Sequence, residues 1–209
     1  MNKKILRNVL IFIFVLILAD QAFKIYIKTN FLLGEEVNVL GNWFRLCFVE
    51  NIGMAFGLHL KGAVGKYILS IFRLIVAGLI FWYLLKIIKE KKHSLFIFSI
   101  AMIFAGALGN ILDSAFYGMI FEESYIYGSG AEPAAIFPAN GGYAGFLQGK
   151  VVDMLYFPII EGHYPSWFPF NAGEEFIFFR PVFNLSDSYI SIAVVIILVF
   201  QRKIFGKQK

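Results

Sequence analysis

The sequence predicts a membrane α-helical protein with four transmembrane helices, a small sheet on the outer side and an enlarged second outer loop. Three observations lead there. The 209 residues are 59% hydrophobic, with a mean hydropathy of +0.71, which is too apolar for a soluble domain of that length. Four apolar stretches, about 9–27, 64–88, 95–113 and 187–205, approach the roughly 20 residues that a bilayer crossing needs. Basic residues cluster at three places, and a four-span path puts all three on one side of the membrane. The chain reads as one integral membrane domain over 1–209.

The first span follows Lys3, Lys4 and Arg7. The same start has the look of a cleavable signal peptide with Val9 to Ala19 as its apolar part. Asp20, Gln21 and Lys24 stand where small residues should mark cleavage, so the stretch is read as a retained helix. An outer loop of about 28–63 comes next. It holds Val37, Val39, Leu40, Trp43, Phe44, Leu46, Phe48 and Val49, punctuated by Gly34 and Gly41. That mixture of β-branched and aromatic residues predicts short strands lying on the membrane surface.

Lys86, Lys89, Lys91 and Lys92 fill the turn between the second and third spans. The second outer loop, about 114–186, is rich in Gly, Tyr, Phe and Pro, with turns predicted at Tyr127–Gly130 and Asn140–Tyr143. The fourth span starts at Asp187, and Arg202, Lys203, Lys207 and Lys209 follow it. The outer loops carry Glu35, Glu36, Glu50, Glu122, Glu123, Glu132, Glu161, Glu174 and Glu175. The positive-inside rule then puts both termini in the cytoplasm. The net charge of +5 is read as topology signals facing anionic lipid rather than as a nucleic-acid surface. With Cys47 alone, and His59, His93 and His163 far apart, no disulfide or transition-metal site is expected.

Polar residues inside or beside the spans are the candidate functional groups, because charge at a membrane boundary is costly to desolvate. Asp20 and Lys24 share a helix face, either as a neutralising ion pair or as the frame of a polar cavity. Asn110 and Asp113 share a face of the third span, beside Gly106 and Gly109, which permit close helix contact. Asn51 and Gly53 lie in the string Asn51–Gly57, which by itself reads as a turn before the second span. Arg73 sits inside that span with no role assigned. Asp153 lies in an apolar setting, Val151–Phe157, where an unpaired carboxyl should have a raised pKa. Asp187, preceded by Asn184, opens the fourth span and taken alone suits a helix cap. Together, one protonated and one ionised aspartate can activate water and polarise a carbonyl.

Five ordered motifs resemble those of the bacterial lipoprotein signal peptidases (signal peptidase II): Asp20-Gln21-Ala22-Phe23-Lys24, Asn51–Phe56, Gly109–Asp113, Val151–Asp153 and Phe183–Asp187. The resemblance implies that Asp153 and Asp187 form a catalytic dyad, lined or supported by Asp20, Lys24, Asn51, Gly53, Asn110, Asp113 and Asn184. It also implies hydrolysis just before a diacylglyceryl-modified cysteine of a prolipoprotein, without metal or organic cofactor. The first outer loop would be a small β-cradle. The enzyme would be a monomer in the bacterial inner membrane, with its site facing the periplasm. Substrate and membrane lipid, not nucleic acid, would be its partners.

Two departures stand out. Ser114 occupies a position where that family usually has arginine, so either another group, with Arg180 a candidate, replaces that arginine or it is dispensable. The segments 114–150 and 158–181 are also long, as a lid over the site or as a partner-binding arm. A transporter is the main rival reading. The inner halves of spans one, three and four are nearly free of ionisable residues, which favours a one-sided site. A structural membrane protein, the second rival, leaves the two aspartate motifs unexplained.

Overall fold

The computed structural model describes residues 3–52, 62–163, 166–167, 173–178 and 180–206. Among these residues, three helices are long and apolar enough to cross a bilayer: α1 (Lys3–Asn30), α2 (Gly62–Lys89) and α3 (Ser94–Leu112), the last continuing to Ile120. On α1 the buried positions Val9, Ile13, Asp20, Lys24 and Ile27 recur at three- and four-residue steps, the period of one helix face. The residues turned away from this face, Phe14, Val15 and Leu18, are exposed, as are Phe72, Ile75 and Leu79 of α2. Apolar surface of this extent is suited to lipid.

The third helix runs past the boundary expected at Asp113. It relaxes into a π-helical turn, Asp113–Tyr117, and ends in the short helix α4 (Gly118–Ile120). The loosened turn exposes carbonyls to partners from the following loop. Ser114 O accepts from Gly149 N at 2.8 Å and Ala115 O from Leu147 N at 3.2 Å. Turns of this type are frequent at functional sites.

The larger sheet has four strands in the order β1-β2-β3-β6. Strands β1 (Glu36–Leu40) and β2 (Phe44–Asn51) form the hairpin expected in the first loop, turning at Gly41 with φ +52°. The sheet is not confined to that loop. Its centre is completed by β3 (Val151–Tyr156), antiparallel to β2 with Val49 opposite Asp153 and Asn51 opposite Val151. All six β3 residues are buried. A strand covered on both faces lacks the alternation that marks a half-exposed one, which is why β3 reads as loop in the sequence. A separate hairpin, β4 (Ile160–His163) with β5 (Glu175–Phe178), precedes β6 (Val182–Phe183).

The last apolar helix, α5 (Leu185–Val199), begins two residues before the expected 187, stops at Phe200, and is followed by the short α6 (Gln201–Phe205). It packs on α3 through two glycines. A Cβ on Gly106 would lie 2.3 Å from Ser186 O and 2.8 Å from Ile190 Cγ1. Two apolar clusters bracket the resulting fold. Val9, Ile13, Leu84, Ile88, Phe96 and Ile97 join α1, α2 and α3 at one end. Ile27, Phe31, Phe48, Phe121, Val152 and Met154 join the helices to the sheet at the other. Because the contact of Gly106 is with a backbone carbonyl, Gly106→Ala is expected to push α5 off α3. The expected destabilisation is about 1–3 kcal/mol, checked by thermal unfolding in detergent micelles; an unchanged midpoint would show that the interface has slack.

Candidate active site

Between the two apolar clusters lies a polar layer centred on Lys24. Its ammonium is fully buried and contacts Asp113 Oδ2 at 2.7 Å and Asp20 Oδ2 at 3.0 Å. It also donates to Asn110 Oδ1 at 2.8 Å. Helical spacing produces this meeting. Asp20 and Lys24 are one turn apart on α1, and Asn110 and Asp113 are nearly one turn apart at the end of α3.

The two carboxylates extend the network to the remaining elements. Asp20 Oδ1 accepts from Ser186 N of α5 at 2.9 Å, and Asp113 Oδ2 accepts from Val152 N of β3 at 3.3 Å. Gln21 donates to Asp113 Oδ1 at 2.9 Å and accepts from Tyr117 Oη at 3.2 Å. Gln21 and Tyr117 were not among the residues the sequence singled out for the site. The position of Gln21 three residues before Lys24 was the available signal.

Asp153 and Asp187 meet over this layer, linked by two asparagines. Asn184 Nδ2 donates to Asp153 Oδ1 at 2.6 Å and to Asn110 Oδ1 at 3.1 Å, and Asn110 Nδ2 donates to Asp187 Oδ1 at 2.8 Å. Asn184 is also the N-cap of α5: its Oδ1 accepts from Asp187 N at 2.9 Å. The reading of Asp187 as the helix cap is thus corrected. Asn184 does the capping, which leaves the Asp187 carboxylate in the first helical turn, where the helix dipole suits an anion.

Asp153 is 3% exposed. Burial, and then the charge of Asp187, push its carboxyl up to about 7, against hydrogen bonds from Asn184 and Asn51. Of the candidate residues, Asp20, Lys24, Asn51, Asn110, Asp113, Asp153, Asn184 and Asp187 all join this one site. Gly53 lies outside the described residues.

Ser114 is buried and donates to Asn110 O at 3.1 Å. Arg180 is exposed in the link before β6. Lys24 acts electrostatically on Asp153, as does Arg73 of α2, half-buried, which also interacts with Asp187 and Asp113. Its helix face is set by Ser70, which donates to Leu147 O at 3.0 Å, and by the buried Ala77. Beside Asp187, a cavity of about 570 Å³ opens between β3–β6 and α5, walled by Leu155, Phe157, Phe183, Ser188 and Ile192. Two carboxyls, a guanidinium and an apolar cavity thus come together at one end of the helices.

Comparison with known proteins gives this membrane protein its family. The signal peptidase II family matches residues 12–202. A lipoprotein signal peptidase of Porphyromonas gingivalis is 47% identical over 188 residues, covering 90% of this chain and 79% of its own. One from Amoebophilus asiaticus is 32% identical, covering 89% and 74%. A solved bacterial membrane enzyme, 20% identical, superimposes with a TM-score of 0.60 over 97% of this chain and 93% of its own. The chain belongs to the signal peptidase II family.

Lys24 holds two fully buried carboxylates together, so Lys24→Met is expected to leave Asp20 and Asp113 in uncompensated repulsion. The expected loss is about 3–5 kcal/mol, measured as the fall in thermal midpoint of the purified protein in micelles. Unaltered stability would mean that the two carboxylates do not depend on this cation.

Proposed function

We propose that the chain is an aspartic endopeptidase that cuts prolipoproteins just before a diacylglyceryl-modified cysteine, with Asp153 and Asp187 as its catalytic pair. Removal of the signal peptide from prolipoproteins is the activity of the family; the proposal concerns the residues and the chemistry. The observation that carries it is the asparagine-linked meeting of Asp153 and Asp187, one buried with its carboxyl pushed up to about 7, the other at a helix N-terminus.

In this reading Asp153 holds the shared proton and donates a hydrogen bond to the scissile carbonyl. The Asp187 carboxylate removes a proton from water as the water oxygen bonds to the carbonyl carbon. The tetrahedral intermediate then loses the cysteine nitrogen, which takes up a proton from the pair, while the signal peptide leaves as a carboxylate. Arg73 adds positive potential where negative charge develops on the substrate oxygen. Asn110 and Asn184 orient the two carboxyls. The cavity beside Asp187 lies between the sheet and α5, a position that suits apolar substrate next to the scissile bond while the acyl chains stay in lipid. Four membrane crossings, both termini in the cytoplasm, an inner-membrane location with the site on the periplasmic side and a monomeric state complete the proposal. The basic clusters before α1, between α2 and α3 and after α5 support that orientation.

The test is cleavage of a diacylglyceryl-modified prolipoprotein by the purified protein with EDTA present. Wild type is expected to cleave, and Asp153→Asn and Asp187→Asn each to lose about 10³-fold or more in kcat. No cleavage by folded wild type would sink the peptidase reading, and activity surviving both substitutions would remove the dyad from it.

The raised carboxyl of Asp153 also sets the direction of a pH dependence. A carboxyl held up near 7 keeps its proton below that pH and loses it above. The rate should therefore decline as pH rises through about 7, by about tenfold per unit once the proton is lost. The pH profile of kcat checks this, and a rate still climbing at pH 8 to 9 would contradict a protonated Asp153.

A further inference from the structure

A second buried charge cluster, one strand position from the dyad, has no part in the hydrolysis described above. Glu50, 3% exposed on its side chain, has Oε1 at 2.5 Å from Lys28 Nζ and Oε2 at 2.8 Å from Lys150 Nζ. Ser124 Oγ accepts from Lys28 at 2.7 Å and donates to Glu50 Oε1 at 2.9 Å. Lys150 also pairs with Glu123, and its backbone N–H donates to Tyr143 Oη at 2.7 Å. The ring of Tyr143 lies 5.0 Å from the Lys28 ammonium and 5.1 Å from that of Lys150. Burial opposes the Glu50 carboxylate, yet Lys28 and Lys150 hold it below the ordinary carboxylate range. A buried carboxylate persists only with such partners. Two of them, Ser124 and Lys150, come from the long segment between α4 and β3, as does Tyr143, which contacts Lys28 and Lys150.

The placement of the cluster gives it meaning. Lys150 directly precedes β3, and Glu50 directly precedes Asn51, the last residue of β2. Asn51 hydrogen-bonds Asp153, and the β2–β3 ladder shifts register between Leu46 and Val49. Strand ends beside an irregularity are weakly held by the ladder itself. Lys28 lies one turn beyond Lys24 on α1, so the same helix anchors both buried clusters. The segment is further tied to the helices by Gly149 N to Ser114 O and by Ala144 N to Gly118 O, each 2.8 Å.

We propose that this cluster is a positioning device: through Ser124, Tyr143 and Lys150, the segment 121–150 clamps Glu50 and thereby sets the places of Asn51 and Asp153. The proposal rests on the reading of Asp153 as a catalytic carboxyl. It makes the segment an internal part of the catalytic scaffold, neither a lid nor a partner-binding arm. Misplacement of a reacting group by about 1 Å costs on the order of 100-fold in rate.

The experiment compares Lys150→Met, Lys150→Arg and Glu50→Gln in the full chain, with Glu132→Gln, an exposed change on the same segment, as control. Lys150→Met and Glu50→Gln are expected to lower kcat about 10- to 100-fold with KM within about twofold. Lys150→Arg should recover most of the loss, and Glu132→Gln should match wild type. Amide exchange over 151–156 should quicken in Lys150→Met. An unchanged kcat in the folded variants would overturn the clamp. So would a raised KM at constant kcat, which would make the segment a substrate-binding element. If wild type itself does not cleave, the peptidase reading falls separately, and exchange over 151–156 alone decides: faster in Lys150→Met supports the clamp, unchanged overturns it.

Discussion

The architecture depends on one buried ammonium. Lys24 stands between Asp20 and Asp113, all three fully shielded from solvent, at the level where membrane helices give way to a sheet. None of these charges is tolerable there alone. Their pairing requires α1 and α3 to hold one relative position, and the spare oxygens of the two carboxylates extend that requirement. Asp20 takes a backbone N–H from α5 and Asp113 takes one from β3. The elements that carry the two candidate catalytic aspartates are thus fastened to the same ion cluster.

Asp153 and Asp187 differ in their surroundings. Asp153 arrives from a strand buried on both faces, and Asp187 from the first turn of a helix. Asn184 serves both, capping α5 with its oxygen while its nitrogen reaches Asp153. One side chain therefore couples helix initiation to the alignment of the pair. Gly109 fits the same logic. A Cβ there would lie 2.1 Å from Ser186 Oγ and 2.7 Å from Asp20 Oδ2, so the polar layer exists only because α3 presents backbone at that point.

Polar residues one helical turn apart were legible from sequence, since helix period is fixed and apolar surroundings make charges conspicuous. Asp20 pairs with Lys24, and Asn110 and Asp113 both contact the same ammonium. Arg73 was visible as an anomaly without a role, because nothing along the chain says which face of α2 turns to the dyad. Strand β3 was hidden by its burial on both faces. The Lys28, Glu50 and Lys150 cluster was hidden by separation: Lys150 and Glu50 are 100 residues apart, and each alone looks like a loop or interfacial charge.

Residue order and composition were enough for the membrane character, the long apolar helices and the set of aspartates and asparagines that meet in the polar layer. These follow from local periodicity and from the high cost of polar groups in an apolar environment. The partner of each buried charge, the capping role of Asn184, the union of both outer loops in one sheet and the docking of the long segment on Glu50 were settled only by tertiary packing. A side chain's burial and neighbours depend on elements far away in the chain, and only the assembled fold brings those elements within hydrogen-bond distance.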